Sequence, residues 1–74
     1  MAEPHDARAT FAQNMRRERL RVGLSQEELG FESDLDTSEI SKLERATRDP
    51  RLATIVKIAR ALEIRPARLL DGIP

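Results

Sequence analysis

Apolar residues recur at helical spacing along the chain, and Gly and Pro residues interrupt this pattern. The interruptions fall at positions 23, 30, 50, 66 and 72, and the chain contains no clear period-two alternation of the kind that marks strands. The pattern therefore predicts an all-α protein of five short helices. The length predicts a single domain over residues 1–74, with residues 1–8 as a flexible N-terminal tail.

The first helix is predicted over about residues 9–21 and is expected to end at Gly23, because glycine readily adopts the left-handed conformation found after many helices. Its inner stripe, at the spacing i, i+4, i+8 and i+11, consists of Phe11, Met15, Arg19 and Val22. The charged member of this stripe needs a partner, since an unpaired charge in a core is costly.

Two capping signals mark the second and third helices. Ser25 and Glu28 have the spacing of a capping box at the start of the second helix, and Asp36 and Glu39 repeat that spacing for the third. The third helix is predicted over about residues 37–46. Its predicted inner stripe is Ile40, Leu43, Glu44 and Thr47, and its predicted outer face is Thr37, Ser38, Ser41, Lys42 and Arg45.

The fourth and fifth helices carry most of the remaining apolar residues. The fourth is predicted over about residues 52–63, starting either from Asp49 and Pro50 as N-cap and first residue or from Arg51. Its apolar stripe is wide, which indicates a helix at the centre of the core. The fifth helix is predicted between Pro66 and the closing glycine. An apolar patch in this region comprises Ile64, Leu69, Leu70 and Ile73.

One contact between helices follows from the stripes alone. Arg19 lies on the inner stripe of the first helix, and Glu44 lies on the inner stripe of the third. We therefore predict a partly buried salt bridge between them that ties these helices together. Gly30 is a further anomaly, since glycine inside a helix costs about 1 kcal/mol relative to alanine. A close approach by another helix would explain its presence.

Composition excludes several classes of function. The chain has no Cys, and its one His, His5, lacks co-ligands, so we expect neither a metal nor another cofactor. No nucleophile–base pair or phosphate-binding loop is present, which argues against an enzyme. No apolar run approaches the roughly 18 residues of a membrane span, and no secretory signal is visible. We therefore expect a cytoplasmic protein without membrane contact.

The formal net charge is zero, but the charges are segregated along the chain. Residues 1–24 carry five Arg and three acidic residues, for a net charge of +2. Residues 25–44 carry one Lys and seven acidic residues, for a net charge of −6. Residues 45–74 carry seven basic and three acidic residues, for a net charge of +4. The acidic middle segment contains most of the third helix, whose outer face nevertheless presents side chains that can hydrogen-bond DNA.

The second and third helices, joined by a short turn, have the arrangement of a helix-turn-helix. In that motif the second helix enters the major groove and the first lies across the DNA backbone. The chain also contains an ordered series of motifs: Arg19, "GLSQEEL" at 23–29, "ISKLER" at 40–45, Pro50 and "TIVKIARALEI" at 54–64. Through this series it resembles the phage-repressor (Cro-like, Xre-type) helix-turn-helix family over about residues 11–71.

This resemblance implies a five-helix fold, a function as a DNA-binding transcriptional regulator, and a set of roles for individual residues. Gln26 matches a position that hydrogen-bonds a DNA phosphate. The positions matching residues that reach bases are Thr37, Ser38 and Lys42. Those matching positions near the backbone are Ser41 and Arg45, and Arg48 lies in a loop that often follows a phosphate strand. Arg19 and Glu44 match a salt bridge common in such folds.

Four residues depart from the family pattern. Asp34 stands in the turn and Ala46 stands after the third helix, where the family often has Gly. Gly30 replaces a frequent Ala, and Arg51 replaces a Ser that often caps the fourth helix. These departures bear on turn geometry and local stability, and none of them removes a proposed DNA contact.

The leading hypothesis is a homodimeric regulator that reads a palindromic operator in double-stranded DNA through the third helix. Dimerisation would use Ile64, Leu69, Leu70 and Ile73, and it would double the modest number of phosphate contacts per monomer. The alternative reading of this patch is that it closes the core of the monomer. The size fits a phage-repressor-like protein, a restriction–modification controller or an antitoxin equally well. The sequence is also compatible with either activation or repression of transcription. A second hypothesis is a protein-interaction module whose acidic middle segment binds a protein partner.

Overall fold

The computed structural model describes residues 6–74, and over this range it is entirely helical apart from turns and loops. The helices are α1 (Ala7–Val22), α2 (Gln26–Ser33), α3 (Thr37–Glu44), α4 (Leu52–Leu62) and α5 (Pro66–Leu69). The expected all-α architecture is therefore confirmed. His5, with the other residues before Asp6, lies outside the described range.

Helix α1 is longer than the apolar pattern predicted. Asp6 is its N-cap, and the Asp6 carboxylate accepts a hydrogen bond from the Ala9 backbone N–H at 3.2 Å. The helix therefore begins at Ala7, so two residues assigned to a flexible tail form part of its first turn. Gly23 ends the helix with a φ of 80°, as expected for a C-terminal glycine.

Helix α2 starts at the predicted capping box. Ser25 Oγ accepts from the Glu28 backbone N–H at 3.0 Å, and Glu28 Oε1 accepts from the Ser25 backbone N–H at 2.8 Å. The hydrogen bonds from Ser25, the one from its backbone N–H foremost, hold the pKa of Glu28 below its usual value. Gly30 is buried, and a Cβ atom there would lie 2.7 Å from the Leu35 carbonyl oxygen. The close neighbour that explains this glycine is thus the turn before α3, not the body of another helix.

The prediction of a second capping box, at the start of α3, is wrong. Asp36 is the N-cap of α3, but its side chain makes no capping hydrogen bond. The Glu39 carboxylate turns away from the helix start to pair with Arg48. Helix α3 also ends at Glu44, two residues earlier than predicted. Thr47 therefore lies beyond the helical register and is exposed, with its Oγ1 donating to the Lys42 carbonyl at 3.0 Å.

Helix α4 begins at Leu52 with Arg51 as N-cap, so the later of the two proposed starts is the one observed. Helix α5 begins at Pro66, as predicted. The core is formed by all five helices, and α3 packs against both α1 and α2. Its buried apolar members are Phe11, Ala12, Met15, Leu29, Ile40, Leu43, Ile55, Ile58, Ala59, Leu62 and Leu69.

The burial of three residues differs from what the apolar pattern predicts. Val22 is exposed, because the chain turns at Gly23 and Leu24 packs against the core instead. Leu52, in the first turn of α4, is also exposed, so that end of the helix is not enclosed by the core. Asn14, by contrast, is buried although it is polar. Its Nδ2 donates to the Leu69 and Asp71 carbonyls at 2.9 Å each, which fastens the C-terminal segment to α1.

Ala46 provides a test of backbone strain in the segment after α3. Its φ is 59°, in the left-handed region that L-residues enter at a cost of about 1–2 kcal/mol. We expect Ala46→Gly to raise the free energy of unfolding by about 0.5–1 kcal/mol, because relief of this strain outweighs the greater unfolded-state entropy of glycine. Thermal unfolding monitored by circular dichroism would show the melting temperature rise by several degrees.

A matched control for this measurement lies in the next helix. Ala53 is exposed within α4, where Ala53→Gly should lower stability by about 1 kcal/mol. Opposite signs for the two substitutions support the strain argument. If both substitutions destabilise the protein, the left-handed residue is not a source of strain.

Candidate nucleic-acid interface

The outer face of α3 presents polar groups that have no partner within the chain. Thr37 and Ser38 are exposed at its N-terminus, and Ser41 and Lys42 are half-buried one turn later. Within residues 6–74, none of these four side chains takes part in a hydrogen bond or an ion pair. Arg45, at the end of the helix, is exposed and equally unengaged. The face therefore consists of available hydroxyl and cationic donors.

One edge of this face is organised by Glu44, whose side chain is only 3% exposed. Glu44 Oε2 accepts from Arg19 Nε at 2.7 Å, and Oε1 accepts from Arg19 Nη2 at 3.0 Å. The salt bridge predicted from the two inner stripes is present, and it is bidentate. The hydrogen bonds from Arg19 to Glu44 raise the pKa of Arg19 above its usual value, against the opposing effect of burial.

The same carboxylate also reaches α2. Gln26 Nε2, on the first residue of α2, donates to Glu44 Oε1 at 3.2 Å. Arg19 Nη1 in turn donates to the Leu24 carbonyl at 2.8 Å, which fixes the segment that precedes α2. The predicted phosphate-binding residue Gln26 is thus held beside the N-terminal end of α2, at one edge of the α3 face. Its second amide N–H remains available to a ligand.

The opposite edge of the face is formed by Glu39 and Arg48. Arg48 lies in the loop between α3 and α4, and its Nη1 stands 2.5 Å from Glu39 Oε1. Both acidic residues of α3 are therefore paired with an arginine from another part of the chain. The negative charges that α3 itself carries are therefore neutralised, while the positive charges of Lys42 and Arg45 remain unpaired.

One residue of the predicted dimer patch does not lie on the surface. Leu69 is fully buried in the core of its own chain, so it offers no surface to a second copy. The reason is that α5 directs this residue against the core and leaves its neighbour Leu70 41% exposed. Ile64 and Ile73 are half-buried. For Leu69, the alternative reading, a residue that closes the monomer core, is the one observed.

The buried carboxylate of Glu18 was not predicted from the sequence, because Glu18 directly precedes Arg19 and is not itself a member of the inner stripe of α1. Its side chain is 3% exposed and contacts three arginines, with Arg21 Nε at 2.8 Å from Oε1. Arg17 Nε and Arg68 Nε stand 3.5 Å and 3.6 Å from Oε2. The partner on α5 could not be anticipated, because it lies 50 residues further along the chain. The Arg21 hydrogen bond, aided by the charges of all three arginines, lowers the pKa of Glu18 although burial opposes this.

The lowered pKa of Glu18 predicts a pH dependence of stability. A carboxyl with a lower pKa in the folded state stabilises the protein above its unfolded pKa, and this contribution is lost as pH falls through the folded pKa. Starting from an ordinary value of 4.5, the loss should occur below that pH. Glu18→Gln should therefore be less stable than the wild type near about pH 7, and the gap should narrow near about pH 3. Urea unfolding at both pH values measures this, and an equal gap at both would contradict it.

The described helices include none long and apolar enough to cross a membrane. Two helices joined by a tight turn, the second with an unpaired polar outer face, define a helix-turn-helix DNA-binding protein. The family comparison agrees, since the helix-turn-helix family model matches residues 15–69. The chain belongs to this family, in its Xre-like, phage-repressor-like form, and it is a DNA-binding transcriptional regulator. The family consists of transcription regulators rather than enzymes.

Three similar proteins show how far the likeness extends. Control protein C.BamHI of Bacillus amyloliquefaciens is 44% identical over 68 residues, which cover 90% of this chain and 84% of that protein. The restriction–modification controller protein C.AhdI from Aeromonas hydrophila has 42% identity and a TM-score of 0.85, covering 88% of this chain and 98% of that one. The DNA-binding domain of the P22 C2 repressor has 26% identity and a TM-score of 0.79, covering 84% and 82%.

Proposed function

We propose that the chain acts as a homodimer that reads a palindromic operator through α3 in the major groove, and that it controls the expression of a restriction–modification system. The observation that carries the DNA-reading part is the state of α3. Its hydroxyls and Lys42 are unpaired, whereas both of its carboxylates are neutralised from outside the helix. A face with free donors and no free acid suits base edges and phosphates.

Roles for individual residues follow from their places on this face. Thr37 and Ser38, at the N-terminal end of α3, and Lys42 are proposed to contact bases, as N-terminal residues of a recognition helix do. The residues proposed to contact the DNA backbone are Gln26, Ser41, Arg45 and Arg48. The assignment to restriction–modification control rests on the two controller proteins, which share more than 40% identity with this chain over most of both lengths.

The proposed dimer rests on charge and on surface composition. One protomer offers few cations to phosphates, and a second protomer doubles them. Leu70 is 41% exposed and Ile64 and Ile73 are partly so, which leaves an apolar patch near the C-terminus. The groove beside it is lined by Arg21, Arg65, Arg68, Glu63 and Asp71. Because it carries both signs of charge, this surface can complement its own copy across a twofold axis.

The operator is the property to measure first. Selection from a library of randomised duplexes, followed by fluorescence anisotropy over a salt series, should yield a palindrome with half-sites about 10 bp apart and two protomers per site. Duplexes that carry one half-site should bind far more weakly. Selection that recovers no common sequence, or a site that binds one protomer, would contradict the proposal.

Sedimentation of a variant at the patch tests the dimer separately. Leu70→Asp should convert the protein into a monomer at concentrations where the wild type is dimeric, since it places a charge in an apolar interface. Leu52→Asp is the control, because Leu52 is also exposed but lies at the opposite end of α4 from Ile64. Equal behaviour of the two variants would place the interface elsewhere.

A second candidate function has one specific observation in its favour. Phe31 on α2 is 85% exposed, beside a groove that Asp34 and Asp36 also line. The groove is lined by four carboxylates and two arginines, and an aromatic ring beside this net acidic surface suits a basic segment of a protein partner. Binding of such a partner that survives loss of Lys42 but fails in Phe31→Ala would favour this function.

A further inference from the structure

The ion pair of Glu39 and Arg48 lies on the opposite edge of α3 from the ion pair of Glu44 and Arg19. Glu39 and Glu44 are five positions apart in the sequence, which places them about 140° apart around the helix axis. They therefore flank the buried side of α3, and each marks one edge of its outer face. Glu44 meets a buried arginine, but the Arg48 side chain is 46% exposed and the Glu39 side chain 22%. One edge is thus closed within the protein and the other is open to a ligand.

The contact at the open edge is short. The separation of 2.5 Å between Arg48 Nη1 and Glu39 Oε1 is smaller than that of any other ion pair among residues 6–74. A guanidinium has five N–H donors, and this contact involves Nη1. Arg48 can therefore keep its bond to Glu39 while its remaining donors bind a second anion. Phosphate is the anion whose geometry a guanidinium fork matches.

The loop that carries Arg48 has few other side-chain anchors. Thr47 Oγ1 donates to the Lys42 carbonyl, and Asp49 meets Arg8 at 3.6 Å with both side chains exposed. An unanchored arginine on such a loop would lose its rotational freedom on binding. Immobilising one long side chain at an interface costs about 2- to 12-fold in affinity. A carboxylate that orders the arginine in the free protein removes this cost.

We infer that Glu39 is a positioning residue, which holds Arg48 at the open edge of α3 so that its guanidinium meets an operator phosphate. This inference rests on the proposed function and adds a residue that the family resemblance does not assign. Glu39 does not itself contact DNA in this arrangement. The competing role for Glu39, acceptance of a hydrogen bond from a cytosine amino group, would make it a base-reading residue instead.

A double-mutant cycle on the selected operator separates these roles. Arg48→Ala should reduce the slope of log K against log salt by about 0.9 for each protomer, as the loss of one phosphate contact requires. Glu39→Ala should weaken binding by about fivefold or more for a dimer, with an unchanged slope. Glu39→Gln, which keeps an oxygen acceptor for Arg48, should bind more nearly like the wild type. In the Arg48→Ala background, Glu39→Ala should have no further effect.

Three results would overturn the inference. Tighter binding by Glu39→Ala and Glu39→Gln alike would mean that Glu39 only repels DNA. A loss that persists in the Arg48→Ala background, or a changed base preference, would make it a base reader.

Melting temperatures of all variants should stay within a few degrees, since exposed pairs contribute little to stability. If the wild type selects no operator, the proposed function fails together with this inference. If the wild type does select an operator but the effects of Glu39→Ala and Arg48→Ala on binding are additive, only this inference fails.

Discussion

Replacing Glu44 by alanine is expected to leave the domain unfolded or barely folded at room temperature. Arg19 is only 8% exposed, and the substitution removes its partner. A buried guanidinium is then left without its carboxylate. Breaking a buried pair from one side costs about 3–5 kcal/mol. A domain of this size has a total stability of about 4–11 kcal/mol, at roughly 0.05–0.15 kcal/mol per residue. The loss therefore consumes much or all of the stability.

The structure adds to this expectation beyond the pair itself. Glu44 Oε1 also accepts from Gln26, so the substitution detaches the start of α2 as well as α1 from α3. Thermal and urea unfolding would measure the effect. Asp49→Ala is the control, because it breaks an exposed pair with Arg8 that should contribute at most about 1 kcal/mol. A melting temperature for Glu44→Ala within a few degrees of the wild type would refute the structural role.

The largest functional effect is expected from alanine at Thr37, Ser38 and Lys42 together. Specific binding by such proteins exceeds their non-specific binding by about 10³–10⁷-fold, and this margin comes largely from contacts to base edges. The triple variant should lose about 10³-fold or more on its operator and bind random duplex almost as the wild type does. Residual binding should remain salt-dependent, since Arg45 and Arg48 are retained.

The fold of this variant should be preserved. The three side chains have no partner within residues 6–74, and alanine is the best helix former. Lys57→Ala is a control for the loss of one positive charge, because Lys57 is exposed on α4 rather than on α3. Anisotropy against operator and random duplexes at matched salt would measure both affinities. Equal losses on the two duplexes would mean that α3 contributes charge but does not read sequence.

Features encoded within one helical turn were predictable from the sequence. Ser25 and Glu28 are three residues apart, and each bonds the backbone of the other, so a local spacing predicted the start of α2. Gly23 and Pro66 marked a helix end and a helix start for equally local reasons. The pair of Arg19 and Glu44 extends this reasoning, because two lone charges on inner stripes have few other ways to be satisfied.

The tertiary structure decided which partner Glu39 binds and which backbone conformation Ala46 adopts. Glu39 has the spacing of a capping residue, yet it pairs with Arg48, nine residues away, because the loop after α3 brings that guanidinium within reach. Ala46 occupies a left-handed conformation that its residue type does not favour, since the chain must turn there to reach α4. Neither outcome is visible in the spacing of nearby residues.

The amino-acid sequence by itself determined the number of helices, most of their ends, the polar outer face of α3 and the buried pair of Arg19 and Glu44. Each of these depends on a period or on contacts within one turn, which neighbouring residues encode. Only the tertiary structure decided that Leu69 is buried while Leu70 is exposed, and that Asn14 and Glu18 are buried against the C-terminal segment. The partners of Asn14 and Glu18 in that segment lie 50 or more residues away, so these contacts depend on how the packed helices place distant segments side by side.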